Sequence, residues 1–397
     1  MANANDIVAI SAVRTPMGAF GGSFKDIPAY DLGAVAIRTA LERAGITGEQ
    51  VDQAIYANCR QAGNGPNPSR TAAVRGGIAL DRPVFTVNMA CPSGMKAMML
   101  AGLELASGGS KIIVAGGMES MSTMPYLLKN VRWEGFKLGD KTLSDSWSDT
   151  LDPLCGYGMG MTAENLVAKY SIGRQEQDDF ALASQKKAAE AQAAGMFDSE
   201  IAPVTLAASR DRDETVVARD ESIRPDTSLE RLAKLKPVFK KDGSITAGNS
   251  CGMGDAAAAL VLTTRGHAKS IGKAPLFSVV ASAQIAVEPA TMGDGPGWSI
   301  PLALTRAGMT LPDMDFIEVN EAFAAQMIAN ERVLGWDRAR VNAFGGAIAL
   351  GHPTGSTGAR LMVTLDNILR KRDKELGIAS ICGGGGVTTA MIIRRES

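Results

Sequence analysis

Two distant stretches of the chain repeat one design. VNMACPSGM, beginning at Val87, and VNAFGGAIALGHPTG, beginning at Val341, each run from a Val-Asn strand end through a glycine-bearing turn into helical spacing. Other pieces keep step: residues 316–319 end in Asn320 much as 55–57 end in Asn58, and 378–381, with Cys382 and the glycines 383–386, echo 111–117. Two similar α/β halves form a pseudo-symmetric pair whose strand ends meet where ligands bind in such sheets. That geometry brings Cys91 and the later motifs into one cleft.

Local patterns fill in the halves. Residues 7–13 read as a buried first strand, closed by Arg14, Thr15 and Pro16 and a glycine-rich turn at Gly18, Gly21 and Gly22. A helix capped by Asp31 is expected over 31–44, then a strand over 53–58, a helix over 69–78, an apolar run at 84–87 and a strand over 111–115. This alternation predicts a largely parallel, covered sheet. From 119 to 246 the texture changes to mixed charge, with helices expected at 162–170 and 174–195. We read that span as an inserted subdomain, because long insertions in compact domains usually cover a site. The division is then 1–118 for the N-terminal half, completed by about 247–272, and 273–397 for the C-terminal half.

Composition closes off several functions. With 397 residues, 45% of them hydrophobic, the chain can bury a sizeable core in two or three domains. A formal net charge of −1 supplies no positive field, so no nucleic-acid partner is expected. The start, MANANDIVAI, lacks a basic region ahead of a long apolar core, which points to a soluble cytoplasmic protein with no membrane partner. Cys59, Cys91, Cys155, Cys251 and Cys382 are far apart and never form a CxxC pair, favouring reduced thiols over a disulfide framework or a metal site. Only His267 and His352 can supply imidazole.

Cys91 stands at a strand end, above a helix whose apolar positions include Met95, Met98, Met99 and Leu103, with Pro92 suited to its first position. Free N–H groups and the helix dipole stabilise an anion there, so the thiol is expected below its ordinary pKa of about 8.5. Cys91 is therefore a candidate nucleophile. A thiolate attacks carbonyls but needs a base to form and an acid to complete the reaction. His352 in GHPTG can take the Cys91 proton, and Cys382 can pass a proton to or from carbon. The glycines after Cys382 leave N–H groups free to approach an oxyanion. Each residue has a duller role: buried structural thiols, a hydrogen-bonded His352, or Asn320 as cap of a helix starting at Glu321. Together they outweigh those roles.

The motifs VNMACPSGM, GGMESMS, MGMTAEN, TAGNSCGMGDAA, NEAFAAQ, GGAIALGHPTGSTG and CGGGG follow the order and separations of the thiolase family, the acyl-CoA C-acetyltransferases. The chain resembles that family from its opening strand to the closing MIIRR. The resemblance implies a thiolase fold, in which duplicated halves form a five-layered αβαβα core with an inserted loop domain that holds coenzyme A. It implies thiolytic cleavage of a 3-oxoacyl-CoA, or the reverse Claisen condensation, through an acyl group on Cys91, within fatty acid metabolism. His352 would activate Cys91 and Cys382 would serve as acid and base. Asn320 would hold a water that, with Nε2 of His352, binds one thioester oxygen, while the N–H groups of Cys91 and Gly384 bind the other. Substrate contacts carry over to Arg224, Phe239, Met159, Gly158, Cys251, Ala322 and Met292. Coenzyme A and acyl-CoA enter as substrates with no tightly bound cofactor, and a homodimer or homotetramer is implied.

Three residues depart from the family pattern: Gly158 where short-chain members often have His, Cys251 where Ser is usual, and Thr388 in place of a glycine. A thiol is a weak hydrogen-bond partner, so these departures bear on acyl preference rather than on chemistry. Two rival readings are a ketoacyl synthase-like condensing enzyme and a catalytically silent coenzyme A-binding protein. The common types of the first need either a different Cys-His-Asn arrangement or a second site histidine, which His267 in the charged TTRGHAKS does not supply.

Overall fold

The computed structural model describes residues 3–147, 151–208 and 213–396. The first half runs β1 (Ile7–Arg14), α1 (Ala29–Ala44), β2 (Gln53–Ala57), α2 (Pro68–Arg75), β3 (Val84–Val87), α3 (Ser93–Ala106) and β4 (Ile112–Ser120). After an insertion that carries α4 (Met159–Tyr170) and α5 (Arg174–Ala193), β5 (Gly254–Thr264) returns to the sheet. The second half repeats the plan with β6 (Phe277–Ala286), α6 (Pro296–Ala307), β7 (Phe316–Val319), α7 (Ala324–Leu334), α8 (Thr354–Lys371), β8 (Leu376–Cys382) and β9 (Val387–Arg395).

The strand order is β3-β2-β4-β5-β1 in one half and β7-β8-β9-β6 in the other. Val341, bridged in parallel to Ile317, takes the place that β3 has beside β2. β1 and β6 join the halves through two residue pairs, Val8 with Ser278 and Ala9 with Phe277. The repeated sequence design is therefore a repeated strand order.

The expectation of a largely parallel sheet is corrected. β2 runs parallel to β3 and β4, and β7 to β8, but β5 and β9 are antiparallel to both of their neighbours. β8 turns into β9 through Gly384–Gly386, a connection too short for the crossover that parallel neighbours require.

Side-chain packing gives five layers. Leu32, Ile37 and Ala72 of α1 and α2 cover the outer face of the first sheet against Tyr56, Val114 and Ala259. Met95, Met98 and Ala101 of α3 and Leu361, Leu365 and Leu369 of α8 fill the space between Ile55 and Leu260 on one side and Ile381 and Met391 on the other. Ile300 and Met327 of α6 and α7 close the outer face of the second sheet against Ala283, Ile378 and Ile392. Because sheet lies on both sides of α8, even its polar Thr357, Arg360 and Thr364 are buried. Each fully buried leucine of this middle layer contributes roughly 2 kcal/mol.

Several expected element ends move. α1 begins at Ala29 after Pro28, so Asp31 lies in its first turn, where its charge meets the helix dipole, rather than at its cap. α2 is capped by the Asn67 side chain, which accepts from the Arg70 N–H, and ends at Arg75. β4 does not stop at Ala115: Gly116 and Gly117 continue it to Ser120, and a Cβ on Gly116 would lie 2.0 Å from the Ala258 carbonyl oxygen. α4 starts earlier than expected, at Met159, and α5 ends at Ala193. No helix among the described residues is long and apolar enough to cross a membrane.

Candidate active site

α3 and α8 cross through glycine. A Cβ on Gly94 would stand 2.8 Å from the Ala359 nitrogen, and one on Gly358 would stand 2.4 Å from the Met95 nitrogen. Bare backbone against bare backbone brings the two helix N-termini face to face, one led by Cys91 and the other by His352. Ala90, at φ 52°, turns the chain sharply ahead of Cys91. Ser93 fixes that turn: its hydroxyl accepts from the Met89 N–H at 2.7 Å and donates to the Ala90 carbonyl at 2.5 Å. Pro92 is the cap residue, one place ahead of the expected first helical position.

The pairing registers relate the two halves residue by residue. Ala57 lies opposite Gly117, and Val319 opposite Ser380. Asn58 thus corresponds to Asn320, and Glu119 to Cys382. The run CPSG from Cys91 corresponds to HPTG from His352.

His352 is held as a neutral imidazole. Its Nδ1 lies 2.8 Å from the Thr357 hydroxyl oxygen, whose own hydrogen goes to the Pro353 carbonyl at 2.9 Å. Nδ1 must therefore donate, which leaves the lone pair on Nε2. Burial, with Arg360 and Arg60 adding positive charge, pushes the imidazole down to about 3. The Asn320 amide nitrogen approaches Nε2 at 3.4 Å, and its Oδ1 is buried with no hydrogen-bond partner among the described residues. Asn320 caps no helix: α7 begins at Ala324 with Phe323 at its cap.

The Cys91 thiol contradicts the expected direction. Burial raises it to about 11, although Arg60 and the N–H groups of Gly384 and Cys91 pull the other way. Desolvation of the anion here outweighs the helix terminus. Cys382 is buried and pushed further up, first by desolvation and then by the nearby Cys91, so both sulfurs rest as thiols. Thr388 pairs with Cys382 across β8 and β9, with its hydroxyl buried and without a hydrogen-bond partner among the described residues.

Glu119, which sequence reasoning missed, ties the halves together at this point. Its Oε1 accepts from Asn58 Nδ2 at 2.6 Å and the Arg60 N–H at 3.0 Å. Its Oε2 accepts from the Cys59 N–H at 3.1 Å, the Thr354 hydroxyl at 2.7 Å and the Gly355 N–H at 2.9 Å. One carboxylate thus binds the loop after β2 and the loop that carries His352. The available signal was an acid two residues past paired strand glycines, inside GGMESMS.

Cys91, His352 and Cys382 line one chamber of about 170 Å³, together with Gly158, Met159, Phe239, Cys251, Met292 and Ala322. Phe239 meets Phe323 edge to face at 6.2 Å, and burial pushes Cys251 up to about 12. Two cavities adjoin the chamber. One of about 480 Å³ shares Arg60, Cys91, Met159 and Thr354 with it and includes Gly384. The other, about 430 Å³, shares Ser250, Gly252 and Met253 and holds Arg224, which is therefore not beside the reacting sulfurs. Asn320 reaches the chamber through His352. Gly385 and Gly386 take φ 78° and 79°, and Gly385 donates to Asp152 Oδ2 at 2.6 Å, which fixes the turn carrying Gly384.

His267 lies on the short helix Arg265–Ser270, where its ring meets Ser270 at 3.3 Å, so the chain has no second imidazole for the chamber. Among the described residues no group of His, Cys, Asp and Glu could hold a metal ion.

Residues 7–266 match the family model described as thiolase, N-terminal domain, and residues 273–395 match thiolase, C-terminal domain. A probable acetyl-CoA acyltransferase of Staphylococcus epidermidis is 49% identical over 391 residues, covering 98% of each chain. An acetyl-CoA acetyltransferase of Cupriavidus necator is 45% identical over 393 residues, covering 98% of this chain and 100% of that one. The crystal structure of the Bacillus anthracis acetyl-CoA acetyltransferase superposes with TM-score 0.96 at 42% identity, over 98% of this chain and 99% of that one. Human mitochondrial 3-ketoacyl-CoA thiolase in complex with CoA superposes with TM-score 0.95 at 40% identity, over 100% of this chain and 99% of that one.

Proposed function

The chain belongs to the thiolase family and is an acyl-CoA acyltransferase, and from that premise we propose how its own residues carry the reaction. In the thiolytic direction, Nε2 of His352 takes the Cys91 proton as the sulfur attacks the 3-oxo carbon. The oxyanion formed there is met by the N–H groups of Cys91 and Gly384, both already directed at that sulfur. The C2–C3 bond then breaks, leaving the acyl group on Cys91 and an acetyl-CoA enolate. The enolate oxygen is held by the imidazolium and a water on Asn320, and its carbon takes a proton from Cys382. The Cys382 thiolate then deprotonates incoming coenzyme A, whose sulfur attacks the acyl group and releases Cys91, which takes its proton back from the His352 imidazolium. The condensation is the same sequence reversed.

The observation that carries this reading is the Thr357 clamp on His352, which keeps the ring proton off Nε2 in the chamber shared by both sulfurs. We assign coenzyme A to the cavity with Arg224, its pantetheine passing Ser250 and Gly252 toward Cys91 beneath the inserted 119–246 segment. Cys251, Phe239, Met159, Ala322 and Met292 line the end of that path. A Cβ on Gly158 would find nothing within 4 Å, so this position leaves room for a wider acyl group. The working form is a homo-oligomer.

Purified protein mixed with acetoacetyl-CoA, or a longer 3-oxoacyl-CoA, and coenzyme A should show loss of the enolate absorbance. Cys91→Ala should abolish the acyl-enzyme, whereas Cys382→Ser should slow the carbon-carbon step more than acyl transfer. Equal losses in both steps would refute the division of roles, and no turnover on any chain length would leave a silent coenzyme A binder.

A further inference from the structure

Arg60 places a cation that makes no ion pair among the described residues in the wall of the larger cavity beside Cys91. Its guanidinium lines both that cavity and the catalytic chamber, 5.5 Å from the centre of the Trp147 ring. Its Nε is buried without a hydrogen-bond partner, and the side chain makes no ion pair among the described residues. The nearby acids are committed elsewhere. Glu119 serves five donors, and Asp152 accepts from the Leu154 N–H through Oδ1 and the Gly385 N–H through Oδ2. Ala90, Leu151, Pro153, Leu154 and Met159 make much of the remaining wall apolar.

A cavity of about 480 Å³ is in the size range of small-molecule sites, and the half-buried guanidinium, whose Nη atoms make no hydrogen bond among the described residues, can donate to an anion that enters it. The phosphates of coenzyme A cannot be that anion, because its pantetheine arm keeps them far from the sulfur beside which Arg60 sits. Building on the thiolase reading, we infer that the acyl chains this enzyme accepts best end in a carboxylate, which Arg60 binds. The substrates would be coenzyme A monothioesters of 3-oxo-dicarboxylic acids.

The test compares thiolysis of two 3-oxoacyl-CoA esters of equal chain length, one ending in a methyl group and one in a carboxylate. The wild type should favour the carboxylate in kcat/KM by about ten- to a hundredfold, the range for a hydrogen bond to a charged group. Arg60→Leu should collapse that ratio, and Arg60→Lys, which keeps the charge, should retain a preference. A residue that merely favoured the Cys91 thiolate would lower both rates together and leave the ratio unmoved. An unmoved ratio, or a wild type that prefers the methyl-ended ester, overturns the inference while leaving the thiolase reading intact. Turnover of neither ester overturns both.

Discussion

Replacing Glu119 with glutamine keeps shape and burial and changes one oxygen into an NH2 group. The amide can be oriented so that NH2 faces either the two donors now on Oε1 or the three on Oε2. The first orientation is preferred, setting Asn58 Nδ2 and the Arg60 N–H against a donor while the Cys59, Thr354 and Gly355 bonds lose their charge assistance. A buried donor left without an acceptor costs about 1–3 kcal/mol. Two of them give about 2–6 kcal/mol, and side-chain movement by Asn58 brings the expectation to about 3 kcal/mol. The urea midpoint of Glu119→Gln should fall accordingly with little change in slope. Because the freed loops carry Arg60 and the Thr354–Gly355 step beside His352, kcat for thiolysis of acetoacetyl-CoA should fall by about ten- to a hundredfold, as small misplacements at a reacting centre do. An unshifted urea midpoint together with kcat within twofold of wild type would refute the claim that this carboxylate holds the two halves in register.

The Cys91 thiol, raised to about 11 by burial, should react with iodoacetamide at a rate that keeps climbing through pH 10; a plateau below pH 8.5 would show the helix terminus prevailing after all. Gly358→Ala sets a methyl 2.4 Å from the Met95 nitrogen, so α3 and α8 must part, at a cost of about 1–3 kcal/mol or more. Acyl-enzyme yield in a single-turnover assay should drop sharply, and a full burst would contradict the contact. His352 has a folded value of about 3, below its ordinary 6.5, so its contribution to stability is complete above pH 6.5 and is lost as pH falls toward 3. From pH 7 to 5 the wild type should lose up to about 2 kcal/mol more than His352→Asn, measured by urea midpoints, and equal losses would refute the assigned shift.

The duplicated halves, and the residues Cys91, His352 and Cys382 that meet in one chamber, were legible because each signal is local: a strand end, a turn glycine, a proline at a helix start. Glu119 was not, since its partners come from separate segments whose approach no spacing records. Arg60, in CRQAG, drew no reading from the sequence because the Trp147 face and the cavity around it are tertiary. The Cys91 shift was misjudged for a related reason: the helix terminus is written in the sequence, whereas desolvation is set by protein packed around the sulfur. The sheet was misread because alternating elements say nothing of a strand that returns through a tight turn without a crossover helix. The first-turn position of Asp31 shows the ordinary limit of cap assignment, where Pro28 could start the helix as readily.

The matching of CPSG with HPTG also settles what neither half can do by itself. Two copies of the first half, docked face to face, would present a pair of thiols without an imidazole; two copies of the second would present a pair of imidazoles without the sulfur to be acylated. Divergence between the copies, rather than the symmetry they share, is what sets a thiol and an imidazole side by side in the same chamber.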